Sequence, residues 1–169
     1  MQIRQAKNSD AAAIAVLSTE VWINTYLRNG INETFANYAL KEFTKEKFEM
    51  VLMSTNETIL VSENSNGIDG FIRLSTDKTC TSISASPCEI TTLYVQPRHQ
   101  SKHVGLHLLK AGIEHCLEQG HAQPWLAVNT ENERAVKFYL RNGFIKDGQT
   151  YFEIEDGKYL NEILVLSPH

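Results

Sequence analysis

Apolar residues recur along the chain at the two spacings that distinguish helices from strands. Ile14, Leu17 and Val21 follow one another at intervals of three and four, so they share one face of a predicted helix. Trp22 and Tyr26 are four residues apart and lie on a neighbouring stripe of the same helix. This face is apolar and aromatic enough to pack against a sheet.

The clearest strand and helix follow each other in the middle of the chain. The segment from Glu89 to Val95 is rich in β-branched and aromatic residues, which predicts a strand that Pro97 closes. An apolar stripe from Val104 to Gln119 predicts the next helix, and Gly120 stands where a C-terminal cap is expected.

The rest of the pattern predicts a mixed α/β fold in which helices cover a central sheet. The chain has 169 residues without an internal repeat or linker, so we expect one domain over residues 1–169. The further predicted elements are a strand at 3–6; a helix capped by Ser9 and Asp10 and ended by Asn29-Gly30; two short helices within 32–53, the second capped by Thr44; strands at 58–63 and 70–75 around a turn at Asn66-Gly67; an exposed loop at 76–87; a strand at 125–128; a helix begun by a capping box of Thr130 and Glu133 and ended at Gly143; and a hairpin of 150–154 and 162–166.

Composition narrows the functional classes. Hydrophobic residues make up 42% of the chain and charged residues 21%, as in ordinary globular proteins. The formal net charge of −4 argues against a nucleic-acid partner, because phosphate binding needs clustered cations. No apolar run reaches the length of a membrane span, so we expect no membrane association. Cys80, Cys88 and Cys116 form no Cys-x-x-Cys pair, which indicates free thiols and a cytoplasmic location.

The first segment with candidate chemistry lies between the central strand and the helix after it. A strand ends at Val95, a polar turn follows, and a helix begins near Gly105. The first N–H groups of a helix have no partners within the helix, and the helix dipole favours an anion there. Gln100, Ser101 and Lys102 add side-chain donors. The segment therefore predicts a pyrophosphate site.

A second segment carries a polar helical face. Asn132, Ala135 and Tyr139 follow at spacings of three and four, so an amide and a phenol share one side of the helix.

Together the two segments resemble the GNAT superfamily of acyl-CoA N-acyltransferases. The family pattern Gln/Arg-x-x-Gly-x-Gly/Ala is matched by Gln-Ser-Lys-His-Val-Gly at 100–105, except that His103 replaces the first glycine. The pattern Asn-x-x-Ala-x-x-Phe-Tyr-x-x-x-Gly-Phe is matched completely at 132–144. Glycine at position 103 would let the backbone approach the ligand closely, so the histidine is expected either to strain or reshape the loop, or to supply an extra donor and, when protonated, a cation.

The resemblance implies a fold, a cosubstrate and a set of site residues. The fold is a twisted, largely antiparallel sheet of about seven strands flanked by helices, with the fourth and fifth strands splayed apart. The cosubstrate is acetyl-CoA and no metal is required. Tyr139 would protonate the departing CoA thiolate, and Asn132 would bind the pantetheine arm with Ala135 and Phe138 packed beside it. The full set of implied cofactor-binding residues is Leu93, Tyr94, Val95, Gln100, Ser101, Lys102, His103, Val104, Gly105, Leu106, Asn132, Ala135 and Phe138.

The amine must lose a proton before it attacks the thioester. Glu89, near the start of the central strand, is the best carboxylate to accept that proton, directly or through water. Backbone N–H groups from Leu93 to Val95 are candidates for stabilising the oxyanion of the tetrahedral intermediate.

A narrower similarity concerns the acceptor. Segments at 22–26, 38–43 and 89–95 and the tail after Phe144 are similar to bacterial spermidine/spermine acetyltransferases of the PaiA type, which implies a polyamine or related small amine. Trp22 and Tyr26 would then line the acceptor pocket, where aromatic faces suit a cation. Packing in the core explains the same two residues equally well.

Alternatives remain open at this point. A non-catalytic acyl-CoA-binding or sensor domain would bind CoA without acetylating an amine, and a protein-modifying relative would act on N-termini or lysines. The final strands of such folds can pair across a homodimer. His99, His103 and His107 invite a metal interpretation, but the sequence lacks the accompanying glutamate of a zincin pattern, so solvated or loop-structuring histidines are favoured.

Overall fold

The computed structural model describes residues 1–27, 29–78, 80, 87–154 and 157–168. Short 3-10 turns at Asn8–Asp10 and Pro97–His99 accompany the regular elements. These elements are β1 (Gln2–Gln5), α1 (Ala11–Tyr26), α2 (Glu33–Glu42), α3 (Lys45–Met53), β2 (Glu57–Asn64), β3 (Gly67–Ser75), β4 (Glu89–Val95), α4 (Val104–Glu118), β5 (Trp125–Asn129), α5 (Glu133–Arg141), β6 (Phe144–Ile154) and β7 (Gly157–Leu166).

The strands form one mixed sheet of seven in the order β1-β2-β3-β4-β5-β7-β6. β1 pairs antiparallel with β2, and β7 pairs antiparallel with both β5 and β6. β4 runs parallel to β5, with Glu89 in register with Trp125 at the start of both strands. The predicted fold class is confirmed. The two parallel strands pair where they begin, which agrees with the prediction that they splay apart.

Two compact units divide the chain. The first consists of Met1–Leu74 and Thr92–Gly112, and the second of Ser75–Thr91 and Ile113–His169. β4 contributes residues to both. This division into units does not test the prediction of a single domain, which stays a prediction.

In the first unit, helices cover both faces of β3. Phe71 belongs to an apolar cluster with residues of α1, α3 and β2, and its ring meets the Phe48 ring edge to face. On the other face, Gly70 and Ile72 contact α4. Burial on both faces explains why β3 reads as a nearly continuous apolar run, without the alternation of a half-exposed strand.

The second unit has its own small core around β5 and β7. Trp125, Ile163 and Val165 are buried together there. The Sγ atoms of Cys88 and Cys116 lie 2.7 Å apart and both thiols are free. The contact with Cys88, together with burial, raises the pKa of Cys116, so this thiol stays protonated. Cys116 thus behaves as the buried, inert residue that its apolar stripe predicted.

The helix caps only partly follow the sequence prediction. Thr44 caps α3 by accepting a hydrogen bond from the Lys47 N–H, as predicted. Asp10 precedes α1 but its side chain accepts no hydrogen bond from the first N–H groups of that helix, so that prediction is wrong. Its carboxylate instead accepts from the Lys7 N–H at 2.7 Å, at the start of the 3-10 turn. The same carboxylate forms an ion pair with Arg4 at 2.7 Å, and this guanidinium lowers the pKa of Asp10.

The predicted capping box before α5 is also wrong. The cap is Asn132, whose side-chain oxygen accepts from the Ala135 N–H. The Thr130 hydroxyl donates to the Leu160 carbonyl of β7, and Glu133 pairs with Lys137 one turn along the helix. The backbone of β7 has thus engaged the hydroxyl that the box required.

Several boundaries differ from the predicted ones. α1 ends at Tyr26, before the predicted Asn29-Gly30 terminator, and β3 begins at Gly67 instead of Gly70. β6 and β7 are each about twice as long as predicted, because their added residues mix polar and apolar side chains without a clear alternation. Gly120 closes α4 with φ of +83° as expected. Most of the predicted loop at 76–87, namely residues 79 and 81–86, lies outside the described residues.

Among the described helices, none combines the length and apolarity that crossing a lipid bilayer requires.

Candidate active site

The turn between β4 and α4 has an unusual backbone. Ser101 and His103 adopt φ of +66° and +62°, and they are the only non-glycine residues with positive φ among those that the structure describes. A side chain in this left-handed region is disfavoured because Cβ crowds the next carbonyl. His103 therefore has the conformation that a glycine would supply at this position of the motif, and the expectation of strain in the loop is confirmed.

This turn is also strongly basic. Residues 90–113 contain no Asp or Glu, but they include Arg98, Lys102 and Lys110 together with three histidines. Lys102 and His103 are exposed at the N-terminal end of α4. The helix dipole and the charges of Arg98 and Lys102 act in the same direction, so the turn attracts an anion.

Side chains of the turn are tied to its own backbone. The Gln100 amide donates to the Val95 carbonyl at 3.2 Å, and the His107 ring nitrogen Nδ1 lies 2.8 Å from the His103 carbonyl oxygen. Val104 is buried. Its side chain therefore packs inside the fold, and its backbone N–H is the group available to a ligand. Gly105 and Leu106, which follow it, are half-buried.

The end of β4 lies close against β3. The Tyr94 ring packs on Phe71 with centroids 5.7 Å apart. A Cβ built on Gly70 would come within 3.0 Å of the Tyr94 carbonyl oxygen and of Leu108 in α4. Leu93 and Val95, on either side of Tyr94, are half-buried. Gly70 therefore permits the close approach that positions this predicted oxyanion-binding segment.

The second motif lies on α5 and the start of β6. Tyr139 is buried, with 8% of its surface exposed, and its ring lies between Phe138 at 5.3 Å and Phe144 at 5.6 Å. Asn132 and Ala135 are half-buried at the first turn. The two aromatic neighbours fix the orientation of the phenol, as a proton donor requires.

The predicted acceptor residues belong to an aromatic cluster. Trp22 is only 4% exposed and contacts the rings of Tyr26, Phe35, Tyr38 and Phe43, with Tyr38 stacked on it at 5.1 Å. Tyr26 is 43% exposed. Burial and the nearby Glu42 raise the pKa of Tyr38 to about 12, so this phenol stays neutral. Trp22 packs as a core residue, while Tyr26 presents a ring to the outside.

Glu89 is half-buried at the start of β4, beside Trp125 in the sheet register. The predicted site residues fall into two groups. The first unit holds Leu93 to Val95, Gln100 to Leu106, Trp22 and Tyr26, and the second unit holds Glu89 and the α5 residues Asn132 to Tyr139. Their catalytic and binding roles stay predictions.

Sequence reasoning missed the acidic partner of this turn. Asp69 of β3 is buried, and its carboxylate lies 3.4 Å from the His99 ring nitrogen Nδ1. A single acidic residue between Ile68 and Gly70 in an otherwise apolar strand was the available signal, because a buried carboxylate needs a partner. The interpretation of His99 as a loop-structuring histidine agrees with this contact. Within the described ranges, no group of three or more His, Cys, Asp or Glu side chains is arranged to hold a metal.

The known proteins that are similar to this chain are N-acetyltransferases. The model of the acetyltransferase (GNAT) family matches residues 21–144. An uncharacterized N-acetyltransferase of Bacillus subtilis, YhfO, is 31% identical over 148 residues, which cover 87% of this chain and 91% of that protein. An uncharacterized N-acetyltransferase of Archaeoglobus fulgidus is 27% identical over 82% of this chain and 89% of its own length.

Solved structures share the fold. The PaiA N-acetyltransferase of Thermoplasma acidophilum, crystallised in complex with coenzyme A, superposes with a TM-score of 0.78 and covers 98% of both chains at 22% identity. At this identity the likeness concerns the fold, and the bound coenzyme A is a property of that protein.

Proposed function

Because the chain belongs to the GNAT acetyltransferase family, we propose that it transfers the acetyl group of acetyl-CoA to a small primary amine by direct attack in a ternary complex. The chain is an acetyltransferase enzyme, as its relatives are. The observation that carries the proposal is the basic turn before α4, with left-handed backbone at Ser101 and His103. Residues 90–113, without a single carboxylate, suit the phosphates of acetyl-CoA.

The turn would bind the pyrophosphate through backbone and side chain together. The first N–H groups of α4, from Val104 to Leu106, are the donors that the dipole reinforces. The side chains of Lys102 and Ser101 would contact the phosphates directly. The Gln100 side chain supports the turn by its hydrogen bond to the Val95 carbonyl. On α5, the Asn132 amide would bind the pantetheine arm, with Ala135 and Phe138 packed against it.

The chemical step needs one proton acceptor and one donor. Glu89 takes a proton from the ammonium form of the acceptor, directly or through water, which frees the nitrogen lone pair. The nitrogen attacks the thioester carbon, and backbone N–H groups from Leu93 to Val95 stabilise the oxyanion. The carbon–sulfur bond then breaks, and the thiolate takes its proton from the Tyr139 hydroxyl. The nitrogen still carries one extra proton, which passes to the Tyr139 phenolate directly or through water, and Glu89 releases its own proton to solvent. The products are an N-acetyl amine, CoA thiol and one proton.

A small cationic amine suits the exposed side of the aromatic cluster. Tyr26 offers a ring face to a cation, and the buried Trp22 behind it holds that ring in place. The similarity of segments 22–26, 38–43 and 89–95 to PaiA-type spermidine/spermine acetyltransferases supports a polyamine acceptor. The enzyme would act in the cytoplasm, where the free thiols of its buried cysteines remain reduced.

The role of Tyr139 is tested by removal of its hydroxyl alone. Tyr139→Phe keeps the ring between Phe138 and Phe144 and should lower kcat by about 100-fold, the lower range for loss of a general acid, with KM for acetyl-CoA almost unchanged. Tyr151→Phe, at an exposed tyrosine of β6, is the matched control and should behave like wild type. Equal rates for both variants in steady-state assays of thiol release would contradict the assignment.

A further inference from the structure

A buried carboxylate lies directly behind the turn that precedes α4. Asp69 is 3% exposed, and its Oδ2 accepts a hydrogen bond from the Asn64 side chain at 2.9 Å. The same oxygen lies 3.4 Å from Nδ1 of His99, within ion-pair distance. The second oxygen, Oδ1, is buried and has no hydrogen-bond partner among the described residues.

Fold stability does not account for this carboxylate. Burying a carboxyl group costs more than one contact at 3.4 Å returns, and an apolar side chain of similar volume is commonly the more stable choice. An unpartnered buried oxygen adds to that cost. The presence of Asp69 is therefore better explained by a role in positioning its neighbours.

Those neighbours form the turn at 96–99. The Gln96 N–H donates to the Asp69 carbonyl at 2.9 Å, and the Gln96 side chain donates to Glu20 of α1 at 3.1 Å. The His99 N–H donates to the Gln96 carbonyl at 2.8 Å. The Asp69 residue thus holds the turn at both ends, by its backbone at Gln96 and by its side chain at His99.

The strained backbone begins two residues after His99. Ser101 and His103 are both left-handed, a conformation that non-glycine residues keep only where the surrounding structure imposes it. A turn fixed at Gln96 and His99 supplies that constraint. Without it, the following residues would relax towards ordinary backbone angles and lose the arrangement of N–H groups that faces the ligand.

We propose that Asp69 and His99 are positioning residues that hold the turn at 100–103 in its phosphate-binding form. The proposal rests on the proposed function, since the ligand is the pyrophosphate of acetyl-CoA. Neither side chain is assigned contact with substrate. A preformed turn binds more tightly because less ordering is needed when the ligand arrives. This gain is equal in the ground state and the transition state, so it affects KM and leaves kcat unchanged.

The test is calorimetric titration of CoA into wild type, His99→Leu, His99→Asn and Asp69→Asn. His99→Leu removes the imidazole whose Nδ1 lies 3.4 Å from the Asp69 carboxylate and should weaken CoA binding roughly tenfold, with a similar rise in KM for acetyl-CoA and an unchanged kcat. His99→Asn retains an N–H donor near the position of Nδ1 and should recover much of the affinity. His121→Leu, at a histidine beyond the C-terminal end of α4, is the control and should bind as wild type does.

Substitutions of Asp69 and His99 should also have non-additive effects on CoA affinity. If Asp69 acts through His99, the double variant Asp69→Asn/His99→Leu binds CoA no more weakly than His99→Leu alone. Unchanged affinity in both His99→Leu and Asp69→Asn, or a fall in kcat at constant KM, would overturn the proposal. If one of the three single variants fails to fold, as judged by circular dichroism, the other two decide. Failure of the wild type to bind CoA would instead overturn the proposed function on which the inference rests.

Discussion

His103 stands where the family motif has glycine, and it adopts the backbone conformation that glycine is used for. Its φ of +62° shows that the turn has kept its shape and accepted the strain of a side chain. A left-handed residue with a Cβ costs about 1 kcal/mol relative to glycine. The substitution therefore lowers stability without reshaping the turn.

His103→Gly should accordingly stabilise the protein. We expect the free energy of unfolding in urea to rise by about 0.5 kcal/mol, because the relieved strain exceeds the extra entropy of glycine in the unfolded chain. Lys102→Gly is the matched control, since Lys102 is exposed in the same turn but has no positive φ, and it should lose stability. A loss of similar size in both variants would show that the left-handed backbone at 103 stores no strain.

At the residue scale, the sequence predicted the turn before α4 but not the contact between Asp69 and His99 beside it. The spacing of Gln100 and Gly105 after a strong strand sufficed to place the turn before α4, because the motif is local. The contact between Asp69 and His99 joins positions 30 residues apart and depends on how β3 lies beside β4. No local pattern encodes that distance, and only the isolated acidic residue in an apolar strand hinted at it.

At the scale of the helix, Asn132 serves the backbone of α5 and is also a predicted ligand of pantetheine. Its oxygen is used in the cap, accepting from the Ala135 N–H at 3.2 Å. The amide NH2 group is the part left for a ligand. The two roles use different atoms of one side chain, so substitutions can separate them.

Asn132→Asp should keep the cap and lose the amide donor. We expect its free energy of unfolding to stay near that of wild type, while CoA binding weakens about tenfold. Asn132→Ala loses both groups and should in addition be less stable by about 1 kcal/mol. Urea unfolding and calorimetry on the same samples measure the two effects. Wild-type affinity in Asn132→Asp would restrict this residue to its role in the helix.

The packing of β3 against its neighbours depends on glycines. A Cβ on Gly70 would meet the Tyr94 carbonyl oxygen at 3.0 Å, and a backbone atom cannot move aside as a side chain can. A Cβ on Gly148 in β6 would meet only the end of Ile163 at an ordinary 3.7 Å. A side chain at Gly70 would therefore collide with the neighbouring strand, whereas a methyl group at Gly148 would fit.

Gly70→Ala should lower the free energy of unfolding by about 1–3 kcal/mol, as expected for overpacking, and raise KM for acetyl-CoA because the end of β4 is displaced. Gly148→Ala, the control, should change stability by no more than about 0.5 kcal/mol. Chemical denaturation of both variants gives the comparison. If the two changes were equal, β3 and β4 would not be as closely packed as their contact distances indicate.

At the scale of the whole molecule, the order of elements was predictable and their caps and ends were not. The β-branched and aromatic residues of β4 and the apolar stripe of α4 predicted both elements almost to the residue. β6 and β7 extend beyond the predicted hairpin by pairing with each other, and periodicity does not detect that pairing. The Asp10 carboxylate is bonded to Arg4 and the Lys7 N–H, and the Thr130 hydroxyl is bonded to the Leu160 carbonyl 30 residues away, so neither caps the predicted helix.

The central claim is that this acetyltransferase acts on a small amine. Its most direct test follows the release of CoA thiol from acetyl-CoA by the purified protein in the presence of single acceptors: spermidine, spermine, small aromatic amines, amino acids and peptides. The account predicts release that depends on a small cationic amine, with acetyl found on its nitrogen by mass spectrometry, and little release with peptides. Thiol release with peptides alone, or CoA binding without amine-dependent release, would contradict it.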